Sequence, residues 1–212
     1  GFVGWIGALT GQSSQQMAIS EIGVSYPDST FGNMSREGTP FTYLLRDILQ
    51  FDATLNDSIH RITTANRTCD LILGVGDGKA DYKDFRGFEY SYSVADVFDD
   101  QDMRPVASWH PRMEGLVYYG MDWLCPAYTQ ALADQLKSLY GKITVENTIS
   151  NITAIVETGD VHIGIYDLTE NNMYVSFMMP TNGTGPMYAY QRQFTELDLD
   201  VLFSEAPPSS SA

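Results

Sequence analysis

Phe2-Val3-Gly4-Trp5-Ile6-Gly7-Ala8-Leu9-Thr10-Gly11-Gln12-Ser13 opens the chain, and Met17-Ala18-Ile19-Ser20-Glu21-Ile22-Gly23-Val24 follows after three polar residues. Residues 2–9 are apolar and broken by glycine, which reads as a buried strand. Thr10–Ser13 supply turn chemistry, and 17–24 read as a second strand, so the pair predicts a β-hairpin. A hairpin needs further layers to cover it, and the rest of the chain must provide them.

Working outward, residues 25–39 are rich in Ser, Gly, Pro and Asp and read as a loop. Phe41, Leu44, Leu45, Ile48 and Leu49 then fall on one helical stripe, with Pro40 suited to its start. Leu55, Ile59 and Ile62 define a second, narrower helix that ends near Asn66. Cys69–Val75 reads as a strand closed by Gly76-Asp77-Gly78, and Phe85–Tyr92 alternates as another. Residues 103–109 and 115–121 are further candidate strands, split by His110-Pro111-Arg112-Met113-Glu114. Tyr128, Leu132, Leu136 and Leu139 mark a third helix, begun by Pro126 and stopped by Gly141. Val145, Ile149, Ile152 and Val156 mark a fourth. His162–Leu168 and Met173–Met178 read as strands joined at Asn171-Asn172. Helix pairs set between antiparallel strand groups predict an α+β fold of two stacked sheets with helices outside. Residues 1–205 form one domain in this reading, and 206–212 a disordered tail.

Five of the eight asparagines lie in Asn-x-Ser/Thr sequons: Asn33, Asn56, Asn66, Asn151 and Asn182. This density points to a protein made in the secretory pathway and carrying N-linked glycans on the outer faces of the helix layers and in loops. No apolar run is long enough to span a bilayer. The chain opens on Gly1 without a signal peptide, so the expectation is an upstream segment of a longer precursor. The net charge of −15, from 27 acidic and 12 basic residues, argues against nucleic-acid binding. A sequence pI of about 4.3 suits an acidic lumen, where that charge is partly protonated away, and suits an ordinary acidic secreted protein equally. Cys69 and Cys125 are the only cysteines. In an oxidising lumen they either form one disulfide or stay as two thiols. Neither they nor His60, His110 and His162 have metal-ligand spacing, and no cofactor is implied.

Gly4–Ser13 resemble a hairpin of the lysosomal acid amidases, acid ceramidase and N-acylethanolamine acid amidase. These belong with choloylglycine hydrolases, penicillin V acylase and isopenicillin N acyltransferase among the N-terminal-nucleophile (Ntn) hydrolases. The likeness continues through Pro40-Phe41-Thr42-Tyr43-Leu44-Leu45-Arg46-Asp47 and the strand and glycine turn of Asp70–Gly78. It covers about the first 95 residues, and beyond them it holds by layout. The resemblance implies an αββα sandwich. It also implies a cysteine freed as a new N-terminus, whose thiolate attacks an amide carbonyl while its own amine shuttles the proton. Cys69 and Cys125 lie too deep in the sequence for that part. The nucleophile and the Arg and Asp that follow it in the family would therefore lie upstream of Gly1, in a segment that stays with this chain.

Supporting residues are expected here. Glu21, near the end of the second strand, either orients the upstream Arg or amine or is an edge-strand surface carboxylate. The stretch Tyr118–Trp123 matches the place of the family's oxyanion-holding Asn and offers Asp122, which serves only when protonated. His110 is an alternative donor, or a structural loop histidine. The family's later arginine is missing from 124–136. Trp5, Tyr119 and Trp123, together with Trp109 and Tyr118, either line an acyl pocket or fill the core. Two functions follow. One is the C-terminal chain of a secreted or lysosomal amidase or acyltransferase acting on a small N-acyl amide. The other is a non-catalytic glycoprotein that keeps the fold as a structural or interaction module. No Gly-x-Ser-x-Gly elbow supports a lipase.

Overall fold

The structure, a computed structural model, describes residues 4–79, 84–103, 106–181, 183 and 185–206. Strands β1 (Gly11–Gln12), β2 (Met17–Gly23), β3 (Leu71–Asp77), β4 (Asp84–Tyr90) and β5 (Ala95–Phe98) form one antiparallel sheet in that order. The hairpin is present, with Gly11 opposite Ile19 and Gln12 opposite Ala18. Its first strand is far shorter than residues 2–9, because the described part of that segment leans on a helix instead of on β2. Ala8 N–H donates to the Thr42 carbonyl (2.9 Å), and Arg46 reaches the Ile6 carbonyl (3.4 Å). A Cβ on Gly7 would collide with the Thr42 side chain at 2.6 Å, so glycine permits this contact.

Helices α1 (Phe41–Phe51) and α2 (Leu55–Thr64) sit where the apolar stripes place them. Thr54 and Asp57 close a capping box at the start of α2. There Asp77 of β3 also accepts from Leu55 N–H (3.2 Å). Asp52, just past α1, is buried and holds Arg61 and Ser58 of α2, which locks the two helices together. Leu44, Leu45, Ile48, Leu55 and Ile62 bury against Met17, Ile19, Leu71, Leu73, Val75, Phe88 and Tyr90, forming the main core on one face of the sheet.

A second antiparallel sheet has the order β6 (His162–Asp167), β7 (Asn172–Phe177), β8 (Thr195–Asp198). It stacks on the other face of the first. The Tyr166 hydroxyl accepts from Gly11 N–H (2.9 Å) and donates to the Ile19 carbonyl (2.7 Å). Asn171, at the β6–β7 turn with φ +54°, accepts from Gln12 Nε2 (2.6 Å). Helix α3 (Pro126–Ser138) forms where predicted, but it buries Thr129, Ala133 and Leu136, with Leu132 and Leu139 partly covered and Tyr128 of the predicted stripe exposed. The fourth helix is divided into α4 (Val145–Asn147), a π-helical stretch (Thr148–Thr153) and α5 (Ala154–Val156). Within it the Thr153 hydroxyl donates to the Ile149 carbonyl (2.7 Å). Ala133, Leu136 and Ile152 bury against Phe98, Met103, Met113 and Tyr118 as a second core.

Several expectations are corrected. The strands expected at 103–109 and 115–121 do not form among the described residues. An isolated bridge pairs Met113 with Leu116, and turns such as His110 N–H to Ala107 O use the backbone groups a ladder would need. Strands β5 and β8 and helix α6 (Leu199–Ser204) have no counterpart in the sequence reading. No Cys69–Cys125 disulfide forms, and both are free thiols: Cys69 precedes β3 at φ +67°, whereas Cys125 caps α3. Asn33, Asn56 and Asn66 are exposed and Asn151 is half-buried on the π stretch, while Asn182 and residues 207–212 of the expected tail lie outside the described residues. Among the described residues no helix is long and apolar enough to cross a membrane.

Ile48, fully buried between α1 and the sheet, is the sharpest test of this core. Ile48→Ala is expected to cost about 2–5 kcal/mol of unfolding free energy in the full-length protein. A denaturant titration would show a lower midpoint with unchanged slope, and a loss below about 1 kcal/mol would contradict this packing.

Candidate functional site

On the face of the first sheet that meets the second, the side chains are Ser20 and Ile22 of β2, Ile72 of β3 and Phe85 of β4. Gly74 and Gly87 leave floor space there, and the rings of Phe85 and Phe98 lie over them where a Cβ would stand. The result is a cleft of ≈ 230 Å³. Tyr118, Tyr119, Ser20 and Thr158 give it polar edges, while Glu21 belongs to the same strand as Ser20 with its side chain on the opposite, helix-facing side.

Glu21 borders a second cleft of ≈ 440 Å³, with Met34, Arg36, Phe41, Cys69 and Asp70. Half-buried on β2, its carboxyl is raised above the ordinary glutamate value by burial. Asp70, at the head of β3, is raised for the same reason. Its Oδ1 is buried without a hydrogen bond. Two carboxyls with burial-raised proton affinity facing one cleft can take up a proton or hold a cationic group. Sequence reasoning does not single out Asp70, although a charge heading the apolar run Leu71-Ile72-Leu73 is a usable signal.

The structure brings together two residues that sequence reading names separately. His110 Nδ1 and Asp122 Oδ2 lie 2.9 Å apart, with both side chains almost wholly buried. Ala107 N–H donates to the same oxygen (2.8 Å). Asp122 Oδ1, the atom that would carry the proton of an oxyanion donor, is buried without a partner, as is His110 Nε2. The imidazole stacks on the Tyr118 ring (4.5 Å between centroids), whose hydroxyl donates to the Pro111 carbonyl. Burial, then the Asp122 charge, pushes Tyr118 up to about 12. The same two effects, with Glu89 and Asp28, push Tyr119 further up. The dyad therefore stands behind the cleft wall formed by Tyr118 and Tyr119. Of the five expected pocket aromatics, Tyr118 and Tyr119 line the cleft, and Trp109 stacks on His110 (6.0 Å between centroids). Trp123 instead meets Phe31 edge-on (5.6 Å) and donates to the Tyr26 carbonyl (2.8 Å). Trp5 is exposed and borders neither cleft.

The raised carboxyls fix the sign of a pH effect. Between the ordinary value, 4.5 for Glu21, and its higher folded value, the folded state holds more protons than the unfolded one. This contribution is complete below pH 4.5 and is lost as pH rises through the folded value. Glu21→Gln is expected to flatten that fall when the full-length protein is unfolded with denaturant across a pH series. An unchanged slope would show that Glu21 is not buried as described.

No protein-family model matches the chain. Two Dictyostelium discoideum proteins are similar to it: protein dcd1A, 39% identical over 215 residues, and protein dcd1B, 34% identical over 216. Each alignment takes in 96% of this chain but only 47% and 42% of the relatives, so the chain spans about half the length of the curated relatives it matches. Among solved structures, a single-residue variant of conjugated bile acid hydrolase from Clostridium perfringens superposes with a TM-score of 0.52 at 12% identity, over 91% of this chain and 77% of that one. At that identity the likeness speaks for architecture alone. Two antiparallel sheets stacked face to face with helices around them, matched to that hydrolase, show that the chain has the sandwich fold of the Ntn hydrolases.

Proposed function

We propose that this chain is part of an amidase or acyltransferase of the Ntn type that cleaves a small N-acyl amide. The observation that carries the reading is Glu21. It is a half-buried carboxyl on the helix side of β2, the strand whose other face floors the first cleft, in a fold shared with a hydrolase of conjugated bile acids. In this reading the nucleophile is a cysteine outside residues 1–212. Its thiolate adds to the amide carbonyl, and its α-amine takes the thiol proton and returns it to the leaving amine. Water then opens the thioester. Glu21, on the helix side of β2 at the second cleft, holds a cationic partner of that centre, an amine or a guanidinium. Tyr119 and Phe98 offer an apolar wall for the acyl group. The His110–Asp122 pair fixes that wall from behind through the Tyr118 ring. The five sequons and the low pI support manufacture in the secretory pathway and work in an acidic or extracellular space.

A second reading, a non-catalytic glycoprotein built on the same fold, is favoured by one observation. Asp122 stands where an oxyanion donor is expected, yet one of its oxygens is already occupied by Ala107 N–H and His110. The two readings part on a single experiment. Full-length protein incubated with N-acyl amides of graded chain length at pH 4–7 is expected to release the free acid and to lose that activity when alkylated at a cysteine. Glu21→Gln is expected to lower kcat by about 10²-fold, the scale of a misplaced reacting group. No turnover across the series would leave the second reading in its place.

A further inference from the structure

Of the strand edges in the two sheets, most are blunted. β1 has two residues, β5 has four and carries Asp96, and β8 has four and carries Glu196 and Asp198. The part of β2 that runs past β1 belongs to the Glu21 site. β6 is different: six residues, His162–Asp167, with β7 on one side and, among the described residues, no strand on the other. The Val161 carbonyl accepts from Met178 N–H (2.8 Å), which sets the alternation of the ladder. Ile163 and Ile165 then bond to β7, and the backbone groups of His162, Gly164 and Tyr166 face the open edge.

The burial of this sheet is equally incomplete. Ser176 is the one buried residue of β6, β7 and β8, and neither core cluster includes a residue of these strands. In β2, β3 and β4, by contrast, most residues are buried or nearly so. Val161, just before β6, is exposed, as are Phe177 and Met178, which face it across the ladder. A sheet clamped by Tyr166 to a full core, yet itself nearly without buried residues, lacks a neighbour. The relatives align with 96% of this chain, and more than half of their length lies outside the alignment.

We propose that the open edge of β6 is a strand-addition site occupied by a β-strand from the part of the full-length protein outside residues 1–212. Main-chain pairing with His162, Gly164 and Tyr166 supplies the hydrogen bonds, and the half-buried apolar side chains of β6 and β7 supply the contact area. This rests on the reading above only in that the full-length protein carries the further chain, and not on its catalysing anything.

The test is amide-resolved hydrogen exchange on the full-length protein, with a photoreactive residue at Val161 as a second readout. The amides of His162, Gly164 and Tyr166 are expected to exchange at least roughly tenfold more slowly than an open edge allows, as slowly as those bonded to β7. The cross-link is expected to capture a peptide from outside residues 1–212. Fast exchange at those three amides would overturn the proposal. So would a cross-link within residues 1–212, or protection that fades on dilution with cross-links between copies, which would make the occupant a second copy. A protein with protected edge amides and no amidase activity would remove the catalytic reading and leave this one standing.

Discussion

The Tyr166 hydroxyl joins the two sheets. A phenol buried between layers is costly unless its hydrogen bonds are made, about 1–3 kcal/mol for an orphaned group. Here both capacities are met by the first hairpin, at Gly11 N–H and the Ile19 carbonyl. Burial raises the phenol's proton affinity, so it stays neutral and able to donate. The clamp is extended at the β6–β7 turn, where Asn171 accepts from Gln12 and donates to Asp200 of α6 (2.5 Å). Sheet separation follows from these contacts. Leu168 comes to rest where a Cβ on Gly76 or Gly78 would meet it at 3.0 and 3.1 Å.

The cleft is a consequence of that spacing. The second sheet covers the first at the Gly76 end, and the small residues elsewhere on that face are left open under Tyr118, Tyr119 and Thr158. Gly74 and Gly87 let Phe85 and Phe98 lie flat, and Tyr118 and Tyr119 close the side. Glu21 belongs to the strand that Tyr166 grips at Ile19, two residues away, so the clamp and the candidate site share one rigid element. The His110–Asp122 pair serves a related end. It gives shape to a segment with almost no regular structure by tying Ala107, His110 and Asp122 together beneath the Tyr118 ring.

Long, strongly periodic elements are legible from residues alone. The α1 stripe from Phe41 to Leu49, the apolar run of β3, helix α3 and the β6–β7 hairpin all appear in place. What escapes reading are elements decided by distant contacts. Residues 4–9 have strand composition but follow α1, because Thr42 and Arg46 offer backbone and side-chain partners. β8, Thr-Glu-Leu-Asp, has no apolar alternation to reveal it and exists by pairing with β7. Residues 115–121 are apolar enough for a strand, yet Gly115 turns the chain at φ +74°, Leu116 makes only an isolated bridge to Met113, and 117–121 stay irregular beside the buried dyad. At the site, Glu21 and Tyr119 are readable from position. The pairing of His110 with Asp122 is not, since they stand twelve positions apart in an irregular segment. The free thiols of Cys69 and Cys125 cannot be read either, because they depend on which element each one begins.

The most direct measurement is a crystal structure of the full-length protein after reaction with a thiol-directed analogue of an N-acyl amide. The expected result is one cysteine from outside residues 1–212 covalently joined to the acyl group, with the acyl chain in the cleft against Tyr119. An adduct at Cys69 or Cys125, or a cleft closed by side chains with no cysteine at its mouth, would contradict it.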